Sequence, residues 1–178
     1  MKTYIAFLRG INVGGHRQIK MDALKQVHVT LGHESVHTYL QTGNVIFQCT
    51  TDPKKLVEKL EASYAEAFGF HTDVMLRSPE DLQKVIVNCP FTEVAEPKYL
   101  HAVLLSETPS ESAGETLMKY GGEEHLELIG DTLYIYYVHG AGRSKLNLRW
   151  IEKVLEVKGT ARNWNTIVKL AELSETLS

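Results

Sequence analysis

The stretch Val36-His37-Thr38-Tyr39-Leu40-Gln41-Thr42-Gly43-Asn44-Val45-Ile46-Phe47-Gln48-Cys49 decides the fold. Residues 36–41 and 45–49 read as strands. Thr42-Gly43-Asn44 between them is a tight hairpin signal, because Gly and Asn accept positive φ at little cost. Upstream, Tyr4-Ile5-Ala6-Phe7-Leu8 is a nearly continuous apolar run, expected as a strand buried on both faces and central in its sheet. Met21, Leu24, Val27 and Leu31 then recur at helical spacing, and Gly32 closes that helix. Downstream, Asp52-Pro53 opens a second helix, Leu56, Val57, Leu60, Tyr64 and Phe68 stripe it, and Gly69 stops it. Phe70, Thr72, Val74 and Leu76 alternate with His71, Asp73 and Met75 as in a half-exposed strand. The order is β-α-β-β-α-β, the split β-α-β or ferredoxin-like arrangement.

The remainder repeats this order with little sequence likeness. Ser78-Pro79-Glu80-Asp81 opens a connecting helix with well-formed capping signals, and residues 88–98, with Pro90 and Pro97, read as a linker. Residues 100–105 read as a strand, 111–120 as a helix, and 124–129 and 132–138 as strands joined at Gly130-Asp131. Leu146, Trp150 and Val154 stripe a helix ending at Gly159. A last helix carrying Ile167, Leu170 and Leu173 is expected to follow directly. The fold class expected is therefore α+β, with two successive ferredoxin-like (split β-α-β) units, the second ending in an extra helix instead of a fourth strand. Its divisions are residues 1–77, a connecting helix and linker at 78–98, and a modified unit at 99–178.

Composition narrows the class of protein. A chain of 178 residues, 43% hydrophobic and 23% charged, buries enough surface to fold without metals or disulfides. A net charge of −3 gives no general pull toward nucleic acid, though a local basic patch stays open. No run approaches membrane-spanning length, and the first residues read as a strand start rather than a signal peptide. Cys49 and Cys89 lie in no CxxC pair and read as buried thiols, so a reducing cytoplasm is the expected compartment.

Topology points to one edge where a ligand could bind. In a split β-α-β unit, the loop after the first strand and the hairpin between the second and third emerge together. That edge gathers Arg9, Asn12, Gly14, Gly15, Lys20, Thr42 and Asn44 near the start of the first helix. Glycines that let a ligand approach the backbone, cations and a helix N-terminus together make an anion pocket. The plainer reading is that the glycines only permit a tight loop and Arg9 forms an ion pair. The spacing is neither a P-loop nor a dinucleotide fingerprint. A second candidate, Gly159-Thr160-Ala161-Arg162-Asn163-Trp164-Asn165-Thr166, offers Arg162 and Asn163 to an anion, against a reading as an N-cap with Trp164 in the core. Residues 140–145, a glycine loop with Arg143 and Lys145, read otherwise as a surface turn.

No catalytic residue and no cofactor can be assigned. Eight histidines include no HExxH pattern, and His33 and His37 straddle a turn and a strand, so no metal site is expected. Ser35, Ser78 and Ser144 lack a nucleophile-elbow context.

Residues 4–15, Ile19-Lys20-Met21, residues 41–47 and residues 160–166 closely resemble the bacterial domain-of-unknown-function family 1697 along essentially the whole chain. That family commonly has Ser where Thr42 stands and Thr where Ala161 stands, both mild departures. The resemblance implies a duplicated ferredoxin-like fold and no established activity. It places the family's marked segments on the loops already reached by topology.

The leading functional expectation is a small-molecule or phosphate-binding protein, or an enzyme of unidentified reaction. One rival is RNA or single-stranded DNA binding, with Tyr4, Phe7 and Phe47 as stacking residues. The other is a non-catalytic interaction module using Tyr134, Tyr136 and Tyr137. Oligomeric state is left open.

Overall fold

The computed structural model describes residues 1–94 and 96–177; Ala95, inside the expected linker, and Ser178 lie outside them. The described residues form two four-stranded antiparallel sheets and six α-helices. The chain divides into two compact units, Met1–Leu82 with Leu170–Ser178, and Gln83–Lys169.

The first unit runs β1 (Lys2–Leu8), α1 (Met21–Thr30), β2 (Glu34–Thr38), β3 (Asn44–Cys49), α2 (Pro53–Phe68) and β4 (Val74–Arg77). Its sheet has the order β2-β3-β1-β4. As the apolar run requires, β1 is central and buried from Thr3 to Leu8. Tyr4, Ala6 and Leu8 join Val45, Phe47, Leu24, Leu56, Leu60 and Tyr64 in one core. The alternate residues Ile5, Phe7, Ile46 and Met75 are buried as well, so both faces of the sheet are covered. Each such side chain contributes roughly 1.5–3 kcal/mol of transfer free energy. Asp52 accepts from the Lys54 N–H, Pro53 takes the first helical turn, and Gly69 ends α2 in the left-handed region at φ 77°.

Two strands of the first unit are shorter than their sequence suggests. β2 starts at Glu34 and ends at Thr38, with Ser35 and Leu40 at positive φ on either side of its regular register. β4 starts only at Val74, because residues 70–73 are held by the loop beside β1: Thr72 Oγ1 donates to the Arg9 carbonyl at 2.8 Å.

α3 (Pro79–Val87) follows β4 behind a reciprocal cap. The Ser78 N–H donates to Asp81 Oδ2 at 3.0 Å, and the Asp81 N–H donates to Ser78 Oγ at 3.1 Å. The second unit contains β5 (Leu100–Leu105), α4 (Glu111–Met118), β6 (His125–Ile129), β7 (Thr132–Tyr136) and α5 (Leu148–Leu155). Val103, Leu105, Leu117, Leu133, Ile135, Ile151 and Leu155 form its core.

The end of this unit corrects the sequence expectation. Instead of passing straight into a helix, the chain forms a fourth strand, β8 (Gly159–Asn163), paired antiparallel with β5 in the order β6-β7-β5-β8. The preceding helix ends earlier than expected, at Leu155, with Glu156 at φ 57°. β8 carries no alternating apolar pattern. Gly159 instead lies against Leu105 and Val103, where an added Cβ would sit 2.9 and 3.0 Å from their side chains. α6 (Trp164–Glu175) then follows. The two halves therefore share a longer element order, β-α-β-β-α-β-α, with α3 and α6 in corresponding places.

Candidate functional site

The edge expected from topology is built as the hairpin reading requires. Phe7 of β1 is in register with Asn44 of β3, and the Leu8 N–H donates to the Gly43 carbonyl at 2.9 Å. Asn12 joins the two loops. Its Nδ2 donates to the Ile19 carbonyl at 3.0 Å and the Gln41 carbonyl at 2.7 Å, and its Oδ1 accepts from the Ile19 N–H at 2.8 Å. Gly43 makes the close approach feasible, since a Cβ there would lie 2.7 Å from Ile11 Cδ1 and 2.9 Å from Leu8 Cβ.

Within residues 9–20 the chain makes a small hairpin of its own. The Asn12 N–H donates to the Arg17 carbonyl and the His16 N–H to the Val13 carbonyl, both at 3.1 Å. Gly14 and Gly15 form its exposed tip at φ 59° and 76°. Arg17 lies over the Phe70 ring, 4.8 Å from its centroid, and donates to the His71 carbonyl. Arg9 is half-buried, with Asp73 at 3.7 Å. Lys20 is exposed and occupies the N-cap of α1, where it offers no side-chain acceptor to the first-turn N–H groups.

The structure thus brings Arg9, Asn12, Gly14, Gly15, Lys20, Thr42 and Asn44 to one rim, but in different capacities. Arg9, Gly14, Gly15 and Lys20 reach its surface. Asn12 links its loops, and Asn44, fully buried, donates to the Tyr39 carbonyl at 2.7 Å and to Thr42 Oγ1 at 3.0 Å. Arg162 and Asn163 belong to β8 in the second unit. Arg162 is buried; its guanidinium donates to Thr160 Oγ1 at 2.6 Å and to the Ala161 carbonyl at 2.9 Å, and burial lowers its pKa to about 10. Asn163 Oδ1 accepts from the Asn165 N–H at 2.9 Å at the start of α6.

Other residues singled out from the sequence find structural partners. Tyr4, Phe7 and Phe47 are at most 4% exposed, so the first sheet offers no aromatic face for stacking bases. Ser78 caps α3, and Ser144 donates to Glu124. His33 is buried against His28, whereas His37 is exposed on β2. Cys49 and Cys89 are buried free thiols.

Among the described residues, the one His/Cys/Asp/Glu group close enough to share a metal ion is Glu61, His71 and Asp73, with donor atoms within 4.8 Å of one another. These groups are already engaged: Glu61 accepts from the Val74 N–H at 2.9 Å, and His71 Nε2 lies 3.1 Å from Asp73. Sequence spacing did not reveal this cluster because α2 supplies one member and the loop before β4 supplies the others. No described helix is long and apolar enough to cross a membrane.

These features define a two-unit α+β protein with a loop-built rim on its first sheet. The chain belongs to the family described as Protein of unknown function (DUF1697), whose model matches residues 1–134. No curated protein matches it. Conserved bacterial protein SP0830 from Streptococcus pneumoniae has a similar structure, with a TM-score of 0.75 at 24% identity over 97% of this chain and 98% of that one. That likeness establishes the fold.

Proposed function

We propose that the protein binds a small anion of the phosphate class at the rim of its first unit, and that each unit is a ferredoxin-like (split β-α-β) module. The strand orders 2-3-1-4 in sequence terms, antiparallel throughout, support the second statement. The observation carrying the first is the Asn12 clamp, which fixes residues 9–20 against the turn at Gln41 and holds Ile19 immediately before the start of α1. An oxyanion would meet the first-turn N–H groups of α1, the Lys20 ammonium and the N–H groups at Gly14 and Gly15. Arg9, paired with Asp73, stands at the edge of the rim, while Asn12, Thr42 and Asn44 hold the frame. The reading is one of binding and assigns no catalytic step. A cytoplasmic setting accords with the two buried free thiols.

Titration of ¹⁵N-labelled protein with inorganic phosphate tests the proposal. The amide resonances of Gly14, Gly15, Met21 and Asp22 should shift saturably, and Lys20→Ala should weaken binding about three- to tenfold. The reading fails if resonances across residues 10–24 stay fixed up to about 10 mM phosphate.

A further inference from the structure

Three donor groups converge in the first unit: the carboxylates of Glu61 and Asp73 and the imidazole of His71, with one ligand atom from each lying within 4.8 Å of the others. Glu61 stands on α2, while His71 and Asp73 lie in the segment that enters β4. The Val74 N–H donates to Glu61 Oε1 at 2.9 Å and ties the two segments together.

Each group is held from outside in a way that keeps a donor atom for a further partner. The Val74 bond occupies Glu61 Oε1 and leaves Oε2. Asp73 turns Oδ2 toward Arg9 Nη1 at 3.7 Å and Oδ1 toward His71 Nε2 at 3.1 Å. The main chain of His71 is fixed on both sides: its carbonyl accepts from Arg17, and Thr72 Oγ1 donates to the Arg9 carbonyl at 2.8 Å. Outer contacts of this kind orient the groups that ligate a metal. The side chains of His71 and Asp73 are 59% and 27% exposed, so an ion reaches them from solvent without any opening of the fold.

Electrostatics and geometry favour a divalent ion at this point. Two carboxylates this close repel each other, and Arg9 answers only the far oxygen of Asp73. A doubly charged ion between them relieves the repulsion, and the imidazole in its neutral form adds a lone pair. Donors about 2.1 Å from one tetrahedral ion stand about 3.4 Å apart, close to the spacing of His71 Nε2 and Asp73 Oδ1. Rotation of the Glu61 carboxylate and of the exposed imidazole closes the remainder. One nitrogen with two carboxylates suits zinc and its neighbours better than magnesium or calcium, which take oxygen donors alone. The second unit supplies a contrast. His139 Nε2 and Glu123 Oε2 are also 3.0 Å apart, but both are largely exposed, and among the described residues no third donor joins them.

We infer that Glu61, His71 and Asp73 bind a divalent transition-metal ion of the zinc type, with water completing its shell. The site stands apart from the anion reading of the rim: its ligands are neither the glycine amides nor the first turn of α1.

Titration of the ¹⁵N-labelled full chain with Zn²⁺ in phosphate-free buffer tests this. The Glu61, His71, Thr72 and Asp73 amides should shift saturably below about 0.3 mM Zn²⁺. His71→Ala should weaken binding about tenfold or more, as should Glu61→Gln, which keeps an acceptor for the Val74 N–H. His139→Ala should leave the titration unchanged, and Mg²⁺ should bind at least about tenfold more weakly than Zn²⁺. The inference is overturned if these amides stay fixed, if those around His139 saturate first, if Mg²⁺ binds as tightly, or if His71→Ala and Glu61→Gln, each folded by its amide spectrum, bind Zn²⁺ like the parent.

Discussion

Two histidines in the first unit have chosen burial over charge. His28 and His33 face each other through their Nδ1 atoms at 3.0 Å, His28 Nε2 bonds the Tyr64 hydroxyl, and His33 stacks on Phe47 with ring centroids 4.6 Å apart. One nitrogen of the facing pair must donate and the other accept, so the arrangement has no place for both rings to be protonated. Burial, reinforced by His33, lowers the pKa of His28 to about 3; burial, reinforced by Lys59, lowers that of His33 to about 4. In the unfolded chain both rings take up protons near pH 6.5. Their contribution to stability is therefore complete above that pH and is lost as pH falls toward 4 and then 3. Thermal midpoints measured from pH 7.5 to 4 should fall mainly below 6.5, reflecting a loss of stability on the order of a few kcal/mol. His28→Leu should lower the midpoint at pH 7, because His33 and Tyr64 lose their partner, yet flatten its decline with acid. An unchanged slope would disprove the assignment. This network was opaque in the sequence, where His28 lies on a helix, His33 follows its C-cap, and Tyr64 is 36 positions from His28.

At the scale of the element, the signals that were legible were those with a local cause. Asp52, Pro53 and Gly69 bracket α2, and Ser78 with Asp81 caps α3, because capping bonds close within a few residues. β8 was hidden because its stability comes from a neighbour. It is a short edge strand in which a glycine fits under two side chains of β5 and an arginine is buried, so no period-two hydrophobic pattern announces it. Gly159→Ala should cost about 1–3 kcal/mol in urea denaturation through overpacking against Leu105 and Val103. A neutral result would mean that this edge yields readily. The rim was legible for the opposite reason: a hairpin turn and a strand order fix which loops meet. What the sequence could not convey was that Asn12 faces inward to join those loops. Asn12→Ala removes three hydrogen bonds and places Ala at φ 54°, and should accelerate amide hydrogen exchange across residues 10–20 while leaving α5 protected. Unaltered exchange there would show that the loop is held without it.

The whole molecule divides inside helices rather than between them. The first unit ends at Leu82, within α3, and resumes at Leu170, within α6. The end of the chain is secured there, since Gln48 of β3 donates to the Leu177 carbonyl at 2.5 Å and Leu170, Ala171 and Ser174 are buried. Deleting residues 170–178 should consequently raise hydrogen exchange first in β1 and β3, more than 120 positions away in sequence, and only afterwards in β5 and β7. Loss confined to the second unit would contradict this division.

The same anchoring bears on how the protein can be handled. A purification tag or reporter joined after Leu177 would be attached beside the sheet formed by the opening residues, so crowding at the tail would register as a fault of the head. An insertion at the exposed Gly130, in the two-residue turn between β6 and β7, would attach such cargo to the second unit instead.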